Sequence, residues 1–392
     1  MTDAVIVAGA RTPIGRSHKG ALVDVDAFAL AEVAVQAAIE RSGIDPEAID
    51  DIVLAESLQG GGVIARHVAI RLGLAGVPGL ADNRHCAGGL SAIQIAAGSI
   101  KAGMDRVVVA GGTESLSSTP RVLKAVPASS GRLEPWYSPT HPATEQAPNR
   151  DMSITVGENT ARMAGVSRLE ADTWALHSNL RAAAARDQGL FAQELVPVPL
   201  ASGPGDDAGV VDADEQPRAD TTLEKLGSLP VLHPELPDAT VTAGNSSGIN
   251  DGSAAVMVVS DEFASAHGLD VLGRIRSWAS VADAPERTGL TPTLAIPKAL
   301  ERAGMKTGDV DVFEINEAFC SMAVACTRAL GIEHDIVNVR GSGCGLGHPV
   351  AATGTRMVVT TLYELRRRHA SVGCVSMCAG GGMGSAMVIE LV

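Results

Sequence analysis

The chain has 392 residues, of which 45% are hydrophobic and 19% charged, as expected for a globular protein with a large buried core. Its formal net charge of −14 argues against nucleic acid as a partner, because contacts to phosphates need a basic surface. No apolar run approaches the roughly 20 residues of a membrane helix, and no signal peptide or peroxisomal address is recognisable. We therefore expect a cytoplasmic protein without membrane insertion.

The cysteines are too few and too unevenly spaced for a disulfide scaffold. They form no Cys-x-x-Cys pair, so we expect no bound metal and buried, unreactive thiols at most positions. The six are Cys86, Cys320, Cys326, Cys344, Cys374 and Cys378.

The predicted elements begin with a strand over residues 5–10, a helix over residues 27–42 and a strand over residues 51–56. Short β-branched runs alternate with amphipathic helices along the rest of the chain. This alternation is typical of an α/β fold with mostly buried strands.

A helix–turn–strand pattern is written twice, as "IERSGIDPEAIDDIVLAE" (39–56) and "LERAGMKTGDVDVFEINE" (300–317). Both copies continue with a glycine-rich turn, a helix and a further strand. The second copy ends on "GSAMVIELV", whereas the first reaches the matching "GSAAVMVVS" only at Gly252. We therefore predict a first core half from residues 1–118 and 249–268, an inserted loop domain at 119–248, and a second core half at 269–392.

Cys86 and His348 occupy nearly the same point of the two repeats, each at a glycine-rich turn before a helix. A thiol at a helix N-terminus feels the positive end of the helix dipole, which favours the thiolate. Pro349 is predicted to be the first helical residue after His348. A pseudo-twofold fold would bring the two turns together, which supplies a nucleophile and a base.

Four short motifs then identify a family: "DNRHCAGGLSA" (82–92), "NEAF" (316–319), "GLGHP" (345–349) and "CAGGGMG" (378–384). In order and spacing they resemble the active-site motifs of thiolases, and "VTAGNSSGINDGSAAV" (241–256) resembles the segment that borders the coenzyme A tunnel. The resemblance implies a duplicated, five-layered α-β-α-β-α core with an inserted loop domain.

The resemblance also implies a mechanism. Cys86 would hold the acyl group as a thioester, His348 would move protons, and Cys378 would deprotonate the α-carbon of acetyl-CoA. His348 and a water held by Asn316 would form one oxyanion hole, and the backbone N–H groups of Cys86 and Gly380 the other. The implied reaction is ping-pong and reversible: thiolysis of 3-ketoacyl-CoA, or Claisen condensation of acyl-CoA with acetyl-CoA.

Coenzyme A is expected as a co-substrate, with no permanently bound cofactor. The resemblance assigns Arg218 and Asp220 to its nucleotide end, and Ala243 and Ser247 to its pantetheine. Residues at the acyl pocket depart from the family pattern, as at Thr288-Gly289, so chain length and physiological direction are left open. The resemblance implies a homodimer or a homotetramer.

Two other functions are compatible with this fold. A decarboxylating ketoacyl synthase would share the Cys nucleophile, but such enzymes carry His or Asn where Cys378 stands. A non-catalytic thiolase-like protein, acting as a lipid carrier or partner subunit, would not need the complete set of Cys86, Asn316, His348 and Cys378.

Overall fold

A large mixed sheet and the helices on its faces make up most of the protein, in a computed structural model that describes residues 2–59, 61–127, 129–200 and 209–392. The strands are β1 Ala4–Arg11, β2 Gly15–Arg16, β3 Asp51–Ala55, β4 Gly79–Asp82, β5 Val107–Ser115, β6 Val122–Ala125, β7 Leu133–Trp136, β8 Val198–Pro199, β9 Val210–Val211, β10 Asn250–Ser260, β11 Gly273–Ala282, β12 Val312–Ile315, β13 Val372–Ala379 and β14 Met383–Glu390. The α-helices are α1 Ala27–Ser42, α2 Ile64–Arg71, α3 Gly88–Lys101, α4 Asn159–Ala164, α5 Arg168–Asp187, α6 Leu223–Gly227, α7 Asp261–His267, α8 Pro292–Ala303, α9 Cys320–Leu330, α10 Gly343–Leu346 and α11 Thr353–Arg368.

The central sheet repeats one strand order twice, as β3-β5-β10-β1 and β12-β13-β14-β11. In each copy the first pair is parallel and the other two pairs are antiparallel. The register shifts at equivalent points of β1 and β11, between Ile6 and Ala8 and between Ile275 and Ser277. The copies join where β1 pairs antiparallel with β11. The predicted duplication is confirmed, down to a matching irregularity in the ladder.

Three apolar clusters fill the space between the helices and the strands of neighbouring layers. Side chains alternate across each strand, so Ile6 faces the middle of the molecule while Val5 and Val7 face outward. Helices α3 and α11 contribute to the middle cluster, α1 and α2 to one outer cluster, and α8 and α9 to the other. The predicted α-β-α-β-α layering is confirmed.

Local sequence signals place α1 where the sequence predicted it. The Asp26 carboxylate accepts the Ala29 N–H at 2.9 Å, which satisfies a free donor of the first turn. Gly43, with φ 65°, closes the other end in a conformation that costs glycine little.

The N-terminal ends of α3 and α11 meet at two glycines in the middle layer. A Cβ on Gly89 would lie 2.7 Å from the Ala351 carbonyl oxygen, and one on Gly354 would lie 2.5 Å from the Leu90 nitrogen. Only glycine allows this approach of one backbone to another. The crossing brings the turns that precede both helices to the centre of the molecule.

The segment between β5 and β10 carries α4 to α6 and two small antiparallel pairs, β6-β7 and β8-β9. It is anchored to the second half through α5, because the Trp174 indole and the Ser178 hydroxyl both donate to the Glu317 carboxylate, at 2.8 and 2.6 Å. The boundaries predicted for a loop domain at 119–248 stay a prediction. No helix within the described residues is both long and apolar enough to cross a membrane.

Candidate active site

Cys86 lies in a short 3₁₀ helix, His85–Ala87, that runs directly into α3. His85 has a left-handed φ of 47°, and its N–H donates to the Asn83 side-chain oxygen at 3.0 Å. His and Asn tolerate such backbone angles better than most residues. The loop therefore holds the thiol at a tight turn immediately before the helix.

The surroundings of the Cys86 thiol favour its protonated form. Burial raises its pKa to about 11, with a further contribution from the nearby Glu114 carboxylate. The backbone N–H groups of Cys86 and Gly380 act in the opposite direction. Backbone N–H groups at this turn therefore favour the thiolate, as expected, but burial outweighs them and the net shift of the pKa is upward. A separate base must remove the proton.

Glu114 links the turns of the two repeats. One of its carboxylate oxygens accepts the Gln59 side-chain N–H at 2.7 Å and the Leu58 N–H at 3.1 Å. The other accepts the Ala351 N–H, at 3.2 Å, three residues after His348. The sequence analysis missed this residue, because nothing in its local pattern indicates that it faces the second half.

His348 is fixed by side chains on both sides. Its N–H donates to the Asn250 side-chain oxygen at 2.9 Å, and its ring Nδ1 lies 2.7 Å from the Thr353 hydroxyl. The Thr353 hydroxyl donates its single proton to the Pro349 carbonyl oxygen, at 2.7 Å. Nδ1 must therefore carry a proton and donate it, which leaves a lone pair on Nε2.

Burial, aided by the positive charge of Arg356, lowers the pKa of His348 to about 3. The imidazole is thus neutral near pH 7 and able to accept a proton. The predicted helix start at Pro349 is wrong: α11 begins at Thr353, and a turn separates it from His348. Within this turn, the Thr353 hydroxyl contacts both the Pro349 carbonyl oxygen and the imidazole.

Asn316 follows β12 and is fully buried, with its N–H bonded to the Ser376 carbonyl at 3.0 Å. Its side-chain nitrogen lies 3.4 Å from His348 Nε2, so the two predicted partners are adjacent. Its side-chain oxygen has no hydrogen-bond partner among the described residues, although it is buried. A buried amide oxygen in this state is suited to a ligand or solvent molecule.

Cys378 lies near the end of β13 in apolar surroundings. Its Sγ lies 3.6 Å from the Met322 sulfur, within a cluster that also includes Val156 and Phe319. Burial raises the pKa of the Cys378 thiol well above its ordinary value, and the proximity of Cys86 adds to the effect. The two predicted catalytic thiols are therefore close enough to influence each other's ionisation.

Gly380 begins the glycine turn between β13 and β14. A Cβ at this position would lie 3.0 Å from the Thr140 methyl group and 3.9 Å from the His85 ring. Gly381 and Gly382 have φ of 88° and 80°, which other residues adopt only with strain. The turn thus presents the Gly380 N–H toward Cys86, as predicted.

A cavity of about 210 Å³ contains three of the four residues assigned to coenzyme A, namely Arg218, Asp220 and Ala243. Lys225 also lines it, within a 2.6 Å ion pair to Asp220, and the sequence analysis missed this second cation. Ser247 is not among the lining residues, and its N–H donates to the Ala318 carbonyl at 2.9 Å. Its assignment stays a prediction.

Comparison with known proteins agrees with this geometry. Residues 4–262 match the family model for the thiolase N-terminal domain, and residues 269–391 match that for the C-terminal domain. An acetyl-CoA acetyltransferase of Paracoccus denitrificans is 40% identical over 395 residues, and a 3-ketoacyl-CoA thiolase of Bacillus subtilis is 39% identical over 405, each match covering all of both chains. A crystal structure of human mitochondrial 3-ketoacyl-CoA thiolase in complex with CoA is 33% identical, with a TM-score of 0.89, over 100% of this chain and 98% of that one.

The chain therefore belongs to the thiolase family. It is a thiolase and, as an enzyme, an acyltransferase. The ketoacyl synthase and the non-catalytic carrier are not favoured.

Proposed function

We propose that this thiolase transfers acyl groups between coenzyme A and Cys86, with His348, Asn316, Cys378 and Gly380 completing the catalytic site. The observation that carries the proposal is the Cys86 thiol close to the Cys378 thiol and the Gly380 N–H, together with a neutral buried imidazole beside Asn316. A thiol needs a base to become a nucleophile, and the carbonyl that it attacks needs hydrogen-bond donors for its developing charge.

In the first half-reaction, His348 Nε2 takes the Cys86 proton as the sulfur attacks a carbonyl carbon. This is the C3 keto carbon of a 3-ketoacyl-CoA in thiolysis, or the thioester carbon of an acyl-CoA in condensation. The tetrahedral oxyanion accepts hydrogen bonds from the N–H groups of Cys86 and Gly380. With an acyl-CoA, its collapse breaks the C–S bond and CoA leaves with the proton from His348. With a 3-ketoacyl-CoA, its collapse breaks the C2–C3 bond, the enolate of acetyl-CoA takes a proton from Cys378, and Cys378 is reprotonated from His348. The result is an acyl group on Cys86 and a neutral imidazole, ready for the second half-reaction.

In the second half-reaction, the Cys378 thiol first gives its proton to His348, and the resulting thiolate takes a proton from the α-carbon of acetyl-CoA. The enolate attacks the acyl-Cys86 carbonyl, and collapse of the tetrahedral intermediate releases the Cys86 sulfur, which takes the proton from His348. The enolate oxygen would lie near Asn316 and His348. In the thiolytic direction, CoA attacks acyl-Cys86 instead, and His348 takes the CoA thiol proton.

Coenzyme A is proposed to lie across the cavity lined by Arg218, Asp220, Lys225 and Ala243. Arg218 and Lys225 supply positive charge for its phosphates in a protein of net charge −14. The similar human enzyme solved with CoA supports the choice of ligand. Its placement against these residues is part of the proposal.

We further propose that the enzyme acts in the cytoplasm as a homodimer or a homotetramer. Strand β4 pairs with β3 alone and forms one edge of the central sheet, with Leu80 exposed. The β6-β7 hairpin exposes Leu123 and Leu133. An unpaired edge and exposed apolar side chains are features that a second copy can cover.

A substrate panel tests the function. The protein is incubated with CoA and 3-ketoacyl-CoAs from four carbons to steroid side-chain size, while loss of the ketoacyl absorbance is followed. Thiolysis of at least one member, with equal amounts of acetyl-CoA and shortened acyl-CoA, is expected. An absence of turnover throughout the panel would contradict the proposal.

A further inference from the structure

The two cysteines proposed for catalysis have different neighbours. Cys378 lies among sulfur and apolar side chains, chiefly Met322, Val156 and Phe319. Gly380, which donates toward Cys86, is bordered by the Thr140 side chain and the His85 ring. The atoms nearest to Gly380 are those of the Thr140 methyl group and a carbon of the His85 ring, so the His85 imidazole lies on the Cys86 side of the site.

The position of His85 is fixed by its backbone. It directly precedes Cys86, and its N–H is held by Asn83 while its φ is left-handed, at 47°. Its ring lies beside Gly380 and makes no hydrogen bond to any of the described residues. The imidazole thus lies close to Cys86 and Gly380, and its ring N–H and the lone pair of its other ring nitrogen have no partner among the described residues.

Thr140 presents its methyl group to Gly380, and its hydroxyl contacts the neighbouring His141. Thr140 Oγ1 lies 2.6 Å from His141 Nδ1, and the other ring nitrogen of His141 lies 2.9 Å from the Ala147 carbonyl oxygen. Because both ring nitrogens of His141 are occupied, the imidazole of His85 is the group left to meet a ligand.

Burial lowers the pKa of His85, which favours a neutral imidazole near pH 7. A neutral imidazole offers one N–H donor and one acceptor. Its matched partner is an uncharged hydroxyl or carbonyl group, since a carboxylate would bring an uncompensated charge into a partly buried site.

We propose that His85 is a specificity-determining residue, which hydrogen-bonds to a hydroxyl or carbonyl oxygen on the acyl group carried by Cys86. The inference rests on the proposed function, because Cys86 and Gly380 must hold the thioester oxygen for the acyl chain to start beside Gly380. His85 then lies next to the first carbons of the chain. The preferred substrates are 3-ketoacyl-CoAs oxygenated near the reacting end.

The test compares 3-ketohexanoyl-CoA with its 5-hydroxy and 6-hydroxy derivatives. The quantity measured is the ratio of kcat/KM for each hydroxylated substrate to that for the unsubstituted one. Wild type should give a ratio above one for at least one derivative. His85→Leu should lower that ratio about tenfold, as for loss of one hydrogen bond in a partly buried site.

His369→Leu is the matched control, because His369 is exposed, distant in sequence from the site motifs and also left-handed, with φ 52°. It should reproduce any backbone strain without changing the ratio. His85→Gly removes the ring without strain and covers a failure of the leucine variant to fold. Added imidazole should partly restore the ratio in His85→Gly.

Several results would overturn the inference. One is a wild-type ratio of one or less for both derivatives, and another is an equal loss on all three substrates in both His85 variants. Activity on 3-ketoadipyl-CoA is measured as well. If the His85 variants lower only that activity and leave the hydroxyl ratios unchanged, the partner is a carboxylate. Absence of thiolysis by wild type on every ketoacyl-CoA is a different result, because it rejects the proposed function itself.

Discussion

The turns that precede the two central helices occupy equivalent places in the duplicated fold but solve different chemical problems. In the first half, His85–Ala87 runs straight into α3, and backbone N–H groups approach the Cys86 sulfur. In the second half, a turn separates His348 from α11, and the side chains of Asn250 and Thr353 hold the imidazole. A nucleophile needs donors for the charge that it creates, whereas a base needs a fixed tautomer.

Burial shifts both groups toward their neutral forms, which disfavours proton transfer between them in the free protein. The pKa of Cys86 is raised to about 11, and that of His348 is lowered to about 3. Neither group is therefore charged near pH 7 before substrate binds. Proton transfer from thiol to imidazole becomes favourable only as the sulfur attacks, when charge moves on to the oxyanion and its donors.

Loss of the nucleophile should have the largest effect. Cys86→Ala is expected to lower kcat for thiolysis by at least about 10⁴-fold, because no other group can form the thioester. Mass spectrometry of the protein after incubation with acyl-CoA should show no adduct. Cys374→Ala, which removes a buried thiol of the same sheet, is the matched control and should still form the adduct. An acylated Cys86→Ala protein would assign the nucleophile elsewhere.

Loss of the Thr353 hydroxyl, which holds the His348 imidazole, should have an intermediate effect on kcat. Thr353→Val keeps the shape of the side chain but removes the acceptor for His348 Nδ1–H, and kcat should fall about 10- to 100-fold. Thr353→Ser restores the hydroxyl and should retain most of the activity. KM for CoA should change little, because Thr353 contacts the imidazole and not the cavity. Equal activity of the valine and serine variants would show that the tautomer does not depend on this contact.

The smallest expected effect is a change in the free energy of unfolding with pH. An unfolded histidine binds a proton below about pH 6.5, but folded His348 does not until about pH 3, so stability should be lost as the pH falls through this window. The free energy of unfolding of wild type should decrease relative to His348→Asn by up to about 1.4 kcal/mol per pH unit. Urea unfolding of both proteins at pH 7, 6 and 5 measures this difference. A difference that stays constant with pH would mean that His348 takes up its proton over the same pH range in the folded and unfolded states.

Much of the fold could be predicted because local sequence patterns specify it. The bounds of α1 follow from Asp26 and Gly43, and the duplication is visible in two aligned segments of the sequence. The structure brings Cys86 close to Cys378 and places Asn316 beside His348, whereas the catalytic roles of these residues stay a prediction. Non-local contacts could not be predicted: the turn between His348 and α11 donates to Asn250 and to Glu114, which are far away in the chain.

The sequence by itself determined the repeat, the order of the motifs and therefore the thiolase family. Only the tertiary structure decided the ionisation of Cys86 and His348, because burial and Glu114 outweigh the helix dipole that the sequence indicates. It alone also placed His85 and Thr140 beside Gly380, although Gly380 is far from both in the chain. Local patterns depend on neighbours along the chain, whereas the polarity and shape of a site depend on which distant segments meet there.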